Sequence, residues 1–297
     1  VRGERPWRAP ERGAARPESE GPARAAVRAP APSSGAGTPA QQHDLLPRCA
    51  TNVVRQAAVR SGEVVLEIGP GLGAITAALL AVGATVHAVE RDQQRVALLR
   101  ERFGKELAAG QLLLHAGDAQ TLRLRLPQPW RVVANPPFVL TAALVRRWLL
   151  EDAAPPRALD LILQRQTAEK LSGTGLSDGQ TRSSVLTHLA GRPRIRIHLH
   201  RDDVTPPSRV DLCLWSLARH DDPDALTTAE LARIDRLLGV AFAGPHTITD
   251  ALRGIASTTQ IRRQAAEHDW DPAMHSRQLP VAAWRPLAAL LATCGKI

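Results

Sequence analysis

The sequence predicts an α/β fold: a doubly wound, mainly parallel sheet with helices on both faces, followed by a small all-helical segment. Three observations carry this expectation. Between residues 63 and 163, short apolar runs alternate with stretches of helical period. A glycine-rich turn, Glu67-Ile68-Gly69-Pro70-Gly71-Leu72-Gly73, joins the first apolar run to the first helical stretch. After Arg219 no further strand pattern occurs, and the rest reads as helices without an internal repeat.

The elements follow in order. Residues 1–40 are rich in Pro, Ala, Arg, Glu and Gly, with Trp7 as the only large apolar side chain. Such a segment lacks the apolar surface to offset its ordering entropy, so a disordered tail is expected. An ordered domain is expected over 41–219 and a small helical domain over 220–297. Strands are predicted at 63–68, 85–90, 111–115, 130–134 and 159–163, with helices at 73–82, 92–105 and 141–150. Later, Ile195, Ile197 and Leu199 alternate with Arg194, Arg196, His198 and His200, and another apolar strand spans 210–217. Their close spacing predicts an antiparallel hairpin at the sheet edge. In the last part, Thr227 or Thr228 caps a helix to about Phe242, with Glu230 in its first turns where negative charge is favoured. Further helices are predicted at 247–256, 259–268 and 281–292.

Composition narrows the partners. The 297 residues are 44% hydrophobic, enough for a packed core, and carry a formal net charge of +9. That balance favours a polyanion, nucleic acid before a membrane surface. An Arg- and Ala-rich, Lys-poor chain without tyrosine also follows from a GC-rich genome, so the charge has a second explanation. Val1, with Met274 as the single methionine, suits a GTG start read literally. Cys49, Cys213 and Cys294 are far apart without metal spacing and read as small apolar residues in a reducing compartment. No run of about 18 apolar residues occurs, and the N-terminus lacks the apolar centre of a signal peptide. A cytoplasmic protein without membrane contact is expected. His198 and His200 lack a third ligand at sensible spacing, so no metal is expected.

The motifs point to chemistry. Glycines in a strand-to-helix turn allow close backbone approach to a ligand. Glu67 at the turn entry would repel a phosphate and favours a ligand with an ammonium and a sulfonium, which S-adenosylmethionine has. Glu90 ends the next strand, about 20 residues on, where an acid accepts from both ribose hydroxyls. Asp118, in Ala116-Gly117-Asp118-Ala119 after the third strand, is placed to accept from an adenine amine. Taken singly, each acid reads as a solvated loop carboxylate; three at successive strand ends form a pattern. Asn135-Pro136-Pro137-Phe138 follows the 130–134 strand. Two prolines stiffen this turn and present an amide, neighbouring carbonyls and an aromatic face together. That set suits a flat base with an exocyclic amine.

The order Gln42-His43-Asp44-Leu45, the Glu67–Gly73 turn, Glu90, Gly117-Asp118-Ala119 and Asn135-Pro136-Pro137-Phe138 resembles the ribosomal RNA adenine N6-methyltransferases. These include the Erm enzymes of 23S rRNA and the KsgA-type enzymes of 16S rRNA. The segment from Leu163 to Lys170, with Gln164, Arg165 and Ala168, and the turn Thr205-Pro206-Pro207-Ser208-Arg209-Val210-Asp211 resemble two further family segments. The resemblance covers about 42–219. It implies a Rossmann-like class I S-adenosylmethionine-dependent methyltransferase sheet with a small helical C-terminal domain. It also implies roles: Gln42 and His43 at the methionine end of the cofactor, Glu67, Gly69, Gly71 and Gly73 lining the turn, Glu90 on the ribose, and Asp118 with Ala119 on the adenine. Leu45, Arg91 and Asn135 complete the cofactor set. Asn135, the Pro136 carbonyl and Phe138 would hold the target base. The family usually has Leu or Ile at Pro137 and an aromatic at Asp44.

The expected chemistry needs no metal. Hydrogen bonds from the adenine amine to Asn135 and the Pro136 carbonyl favour a pyramidal nitrogen, and its lone pair attacks the sulfonium methyl in line. Phe138 replaces the stacking lost when the base leaves its helix. Arg146, Arg147, Arg182, Arg192, Arg194, Arg196, Arg201 and Arg209 are candidates for an RNA-facing surface. The sequence reading is an Erm-like, monomeric 23S rRNA methyltransferase of actinomycete type, giving macrolide, lincosamide and streptogramin B resistance. The alternatives are a KsgA-type 16S dimethyltransferase, a DNA adenine methyltransferase suggested by Pro137, and a non-catalytic RNA-binding or ribosome assembly factor.

Overall fold

A computed structural model of the chain describes residues 43–175, 179–244, 246–293 and 295. The expected tail at 1–40, Gln42 and Cys294 lie outside the described residues. The elements run β1 (Asp44–Leu45), α1 (Pro47–Gln56), β2 (Val64–Ile68), α2 (Ala74–Ala81), β3 (Thr85–Glu90), α3 (Gln93–Arg102), α4 (Gly104–Ala108), β4 (Leu112–Ala116), β5 (Trp130–Ala134), α5 (Phe138–Leu150) and β6 (Ala158–Gln164). There follow α6 (Arg165–Ser172), α7 (Arg182–Ala190), β7 (Gly191–Leu199), β8 (Val204–Thr205), β9 (Leu212–Arg219), α8 (Thr228–Ala241), α9 (Ile248–Ala251), α10 (Thr258–Glu267) and α11 (Trp284–Thr293).

Seven strands form one sheet in the order β4-β3-β2-β5-β6-β9-β7. The β2–β3, β3–β4, β2–β5 and β5–β6 pairs are parallel, as the alternation predicts. β9 lies between β6 and β7, antiparallel to both, so the hairpin is present with β7 as the outer edge. From β2 the chain steps outward through β3 and β4, then returns to the other side of β2 with β5. The crevice at the carboxyl ends of adjacent strands whose connections diverge is where such sheets bind ligands. Here it lies between the turn after β2 and the turn after β5, which are the two motifs singled out above.

Each strand feeds both faces with period two. Leu66, Ile68, Val132, Ala134, Leu161 and Leu163 pack with α5, α7 and α8, while Val65, Val133 and Ile162 pack with α1, α2 and α3. The first of these cores continues through Leu231, Ile234, Leu237, Ile261, Trp284 and Leu287, so the C-terminal helices share it with the sheet.

Several elements differ from the expectation. The predicted helix at 92–105 breaks at Phe103 (φ −114°), giving α3 and α4. The helix after β5 starts at Phe138, three residues earlier than expected, because Pro137 sets the backbone at its N-cap. The predicted 247–256 helix is a single turn, α9. The helix predicted over 281–292 begins as a 3-10 turn and becomes α11 at Trp284. Helices α1, α6 and α7 and the small β1–β8 ladder were not anticipated. α8 is capped by Thr227, whose hydroxyl accepts from the Glu230 amide.

Candidate active site

The site is built from strand ends. Glu67, near the end of β2, is fully buried, and Thr76 Oγ1 from α2 donates to its Oε2 at 2.6 Å. Its Oε1 is buried with no partner among the described residues. Burial pushes the Glu67 carboxyl up to about 8, against the pull of its bonds to Thr76 and with a smaller push from the Glu90 charge. A buried acid with an orphan oxygen is a receptor for a cationic donor. Glu67 shares a pocket with His43, Asp44, Leu45, Gly69, Pro70, Ile75 and Asn135.

Glu90 closes β3. Its Oε1 accepts from the backbone of Arg91 (2.8 Å) and Asp92 (2.9 Å), and its Oε2 from Gly71 (3.4 Å). The acid therefore ties the second strand end to the glycine turn. Asp118 accepts from the Gln120 amide at 2.8 Å, and exposed Arg91 lies 3.9 Å from its Oδ2. Ala119 is buried, and its carbonyl accepts from Arg147 Nη1 at 2.8 Å. Gly71 has φ +59° and lies beneath Asp44, whose Oδ1 would be 2.2 Å from an added Cβ. Gly73 (φ +80°) faces Phe103 instead, at 2.6 Å, so that glycine serves close helix packing.

The turn after β5 meets the N-terminal arm. Asn135 Nδ2 donates to the His43 carbonyl at 2.7 Å. That bond commits the amide nitrogen and leaves Oδ1 without a protein partner among the described residues. Pro136 is buried, and Phe138 is half-buried with its ring centroid 6.3 Å from that of His43. His43 Nδ1 donates to the Pro206 carbonyl at 2.7 Å, and β1 pairs with β8. The arm, the Pro-rich turn and the catalytic turn candidates thus converge, although 163 residues separate His43 from Pro206.

Sequence reasoning missed several supporting residues: Thr76 on Glu67, Arg147 beneath Ala119, and Arg95, which pairs with Asp44. Three expected RNA-facing arginines are tied to partners within the fold, although Arg146 and Arg182 stay partly exposed. Arg147 holds the Ala119 carbonyl, and Arg146 and Arg182 both bind the buried Asp235 carboxylate, at 2.6 and 2.7 Å. Nothing in their spacing distinguishes a guanidinium reaching for a buried acid from one facing solvent. Arg192, Arg194, Arg196, Arg201 and Arg209 are exposed. Among the described residues no group of three or more His, Cys, Asp or Glu side chains is placed to hold a metal.

A class I S-adenosylmethionine-dependent methyltransferase is what this sheet, its switch-point crevice and its acids at successive strand ends define. The cofactor's ammonium suits the orphan oxygen of Glu67, and its ribose the acid at Glu90. Residues 46–268 match the family described as "Ribosomal RNA adenine dimethylase". The chain belongs to that family and is an S-adenosylmethionine-dependent rRNA adenine methyltransferase. A "Ribosomal RNA small subunit methyltransferase A" from Sphingopyxis alaskensis is 34% identical over 236 residues, 77% of this chain and 84% of that protein. One of the same name from Pseudomonas aeruginosa is 30% identical, over 81% of this chain and 88% of that protein. Among solved structures, the 23S rRNA methyltransferase ErmE superposes with a TM-score of 0.66 at 22% identity, over 82% of this chain and 97% of its own. A dimethyladenosine transferase from Plasmodium falciparum gives 0.65 at 18%, over 85% and 97%. Those two likenesses speak for the fold alone.

The relatives correct the sequence reading. The expected Erm-type identity is overturned by proteins named for the small ribosomal subunit, and with it 23S rRNA as partner and antibiotic resistance as outcome. The reason is chemical. The motifs read a cofactor and a base amine, and those groups are the same whichever ribosomal RNA carries the adenine.

Proposed function

We propose that the protein methylates the exocyclic N6 of adenine in the 16S rRNA of the small ribosomal subunit, in the manner of KsgA-type dimethyltransferases. The observation that carries this is the set of small-subunit methyltransferases at 30–34% identity. The fit extends beyond two thirds of the chain in all five.

The residues divide the work. S-adenosylmethionine, when bound, supplies an electrophilic methyl on its sulfonium. Glu67 holds its ammonium, Glu90 its ribose, and Asp118 with Ala119 its adenine, while His43, Leu45, Gly69 and Gly71 wall the cleft and Arg91 flanks it. Asn135 is oriented by the His43 carbonyl, so its Oδ1 faces the target amine as an acceptor. With the Pro136 carbonyl it draws both amine hydrogens and leaves the nitrogen lone pair free to attack. Phe138 stacks on the extruded base. The exposed arginines of β7 and the loops beyond it supply phosphate contacts. Monomeric action in the cytoplasm completes the reading, in keeping with the buried free thiols of Cys49 and Cys213.

Labelled methyl transfer to 30S subunits, naked 23S rRNA and duplex DNA, run in parallel, tests this. Label is expected in the 30S particles. Labelling of 23S rRNA or DNA without 30S labelling overturns the proposal. Asn135→Ala is expected to abolish transfer while leaving cofactor binding largely intact; near-wild-type transfer by that variant removes Asn135 from the mechanism.

A further inference from the structure

We propose that Asp44 and Arg95 form a positioning pair that clasps the N-terminal arm onto the cofactor turn, and through the arm sets Asn135 against the cofactor. The proposal rests on the cofactor site and not on which RNA is methylated.

Both carboxylate oxygens of Asp44 accept from the Arg95 guanidinium, at 3.2 and 3.4 Å. The two side chains are 21% and 22% exposed, so solvent screens the pair less than a surface pair. The pair rests on Gly71: a Cβ built there would lie 2.2 Å from Asp44 Oδ1 and 2.9 Å from Arg95 Nη1. A two-point bond from α3 thus passes over the backbone of the cofactor turn to β1.

The arm is held differently on its other side. β1 pairs with β8, the Leu46 amide donates to the Asp203 carbonyl at 2.9 Å, and His43 donates to Pro206. Those bonds fasten it to the Pro-rich turn, whereas the Asp44 carboxylate reaches back to the cofactor side. The residue before Asp44 carries the carbonyl that takes the Asn135 amide. Arg95, Asp44, the His43 carbonyl and Asn135 therefore make a continuous line from the helix after the ribose acid to the proposed target-base contact.

Charge supports the same reading. Asp44 lines the pocket that Glu67 and Asn135 also line. Arg95 neutralises it, which leaves Glu67 as the acid with an unspent oxygen in that pocket.

Asp44→Asn, Arg95→Gln and the double variant, each in the full chain, test the pair. S-adenosylmethionine affinity is read by titration calorimetry, methyl transfer to 30S subunits by steady-state kinetics, and the free protein's thermal midpoint by calorimetry. Each single variant is expected to weaken cofactor binding and lower kcat by about tenfold, with KM for the RNA within about twofold, and the double to be no worse than the worse single. Effects on cofactor affinity below twofold, effects that multiply in the double, or a change confined to the RNA KM would overturn the proposal. If the free protein loses stability, Arg95→Lys decides. Partial recovery of cofactor affinity and kcat together supports positioning; recovery of the midpoint alone overturns it. Because calorimetry needs no RNA, absence of 30S labelling by the wild-type protein would sink the substrate assignment and leave this result readable.

Discussion

Glu67 is the residue whose chemistry depends most on its surroundings. Its carboxyl titrates at about 8 in the folded protein against an ordinary value of 4.5, because burial disfavours the charged form. The folded state therefore holds a proton that the unfolded chain has lost across that window. The stability contribution is fully present below pH 4.5 and is lost as pH rises through 8. A cationic ligand reverses the preference and drives the proton off. Calorimetric titration with S-adenosylmethionine at pH 6 to 7, in two buffers of different ionisation enthalpy, is expected to show release of close to one proton, with affinity rising with pH in that range. Glu67→Gln should bind at least about tenfold more weakly and release none. Equal proton release by wild type and variant would show that another group titrates.

The α5, α7 and α8 helices are joined by an acid that the sequence did not mark as special. Asp235 on α8 is buried between Arg146 of α5 and Arg182 of α7. Burial alone would raise its carboxyl, but hydrogen bonds from both arginines outweigh that and hold it below the ordinary carboxylate range. This stabilisation is present above the unfolded value and is lost as pH falls through the folded one. Asp235→Ala is expected to cost about 3 kcal/mol in urea unfolding, the low end for breaking a buried pair because both guanidiniums reach solvent. A loss below about 0.5 kcal/mol would show that the helices are held by apolar packing alone. At this scale the sequence was uneven. The parallel strands were legible because β2, β3 and β5 are buried on both faces, so each is a mainly apolar run despite Glu67, His87 and Arg131 within them. Helix α1 was not read, although Pro47 sits at its start and Cys49, Ala50, Val53 and Val54 share its buried face. α7 carries a Thr181–Ser184 capping box whose Ser at the third position hides it from a search for Glu or Gln. The positions of the strand-end acids and of the Asn135 turn were legible because strand ends are fixed by the apolar runs before them. The arm's contacts were not, since they join residues far apart in sequence.

In the molecule as a whole, the sheet and the C-terminal helices share apolar contacts. Trp215 in the sheet and Trp284 in α11 are both fully buried in the same continuous core. One cooperative transition is expected over residues 40–297. Fluorescence of variants retaining only Trp215 or only Trp284 should give coincident urea midpoints. Separated midpoints would show that the helical part unfolds independently. A net charge of +9 also bears on the RNA, since each phosphate neutralised steepens the fall of affinity with salt.

The contact that orients Asn135 is made by a main-chain oxygen, the carbonyl of His43. No replacement of the side chain at 43 deletes that oxygen; only a shift of the strand that carries it can. Mutational scanning at 43 therefore measures the bond from the imidazole to Pro206 and is blind to the one that aims the amide. The specificity of this corner is written in where the backbone runs, and its weak points are the residues that pin the backbone there.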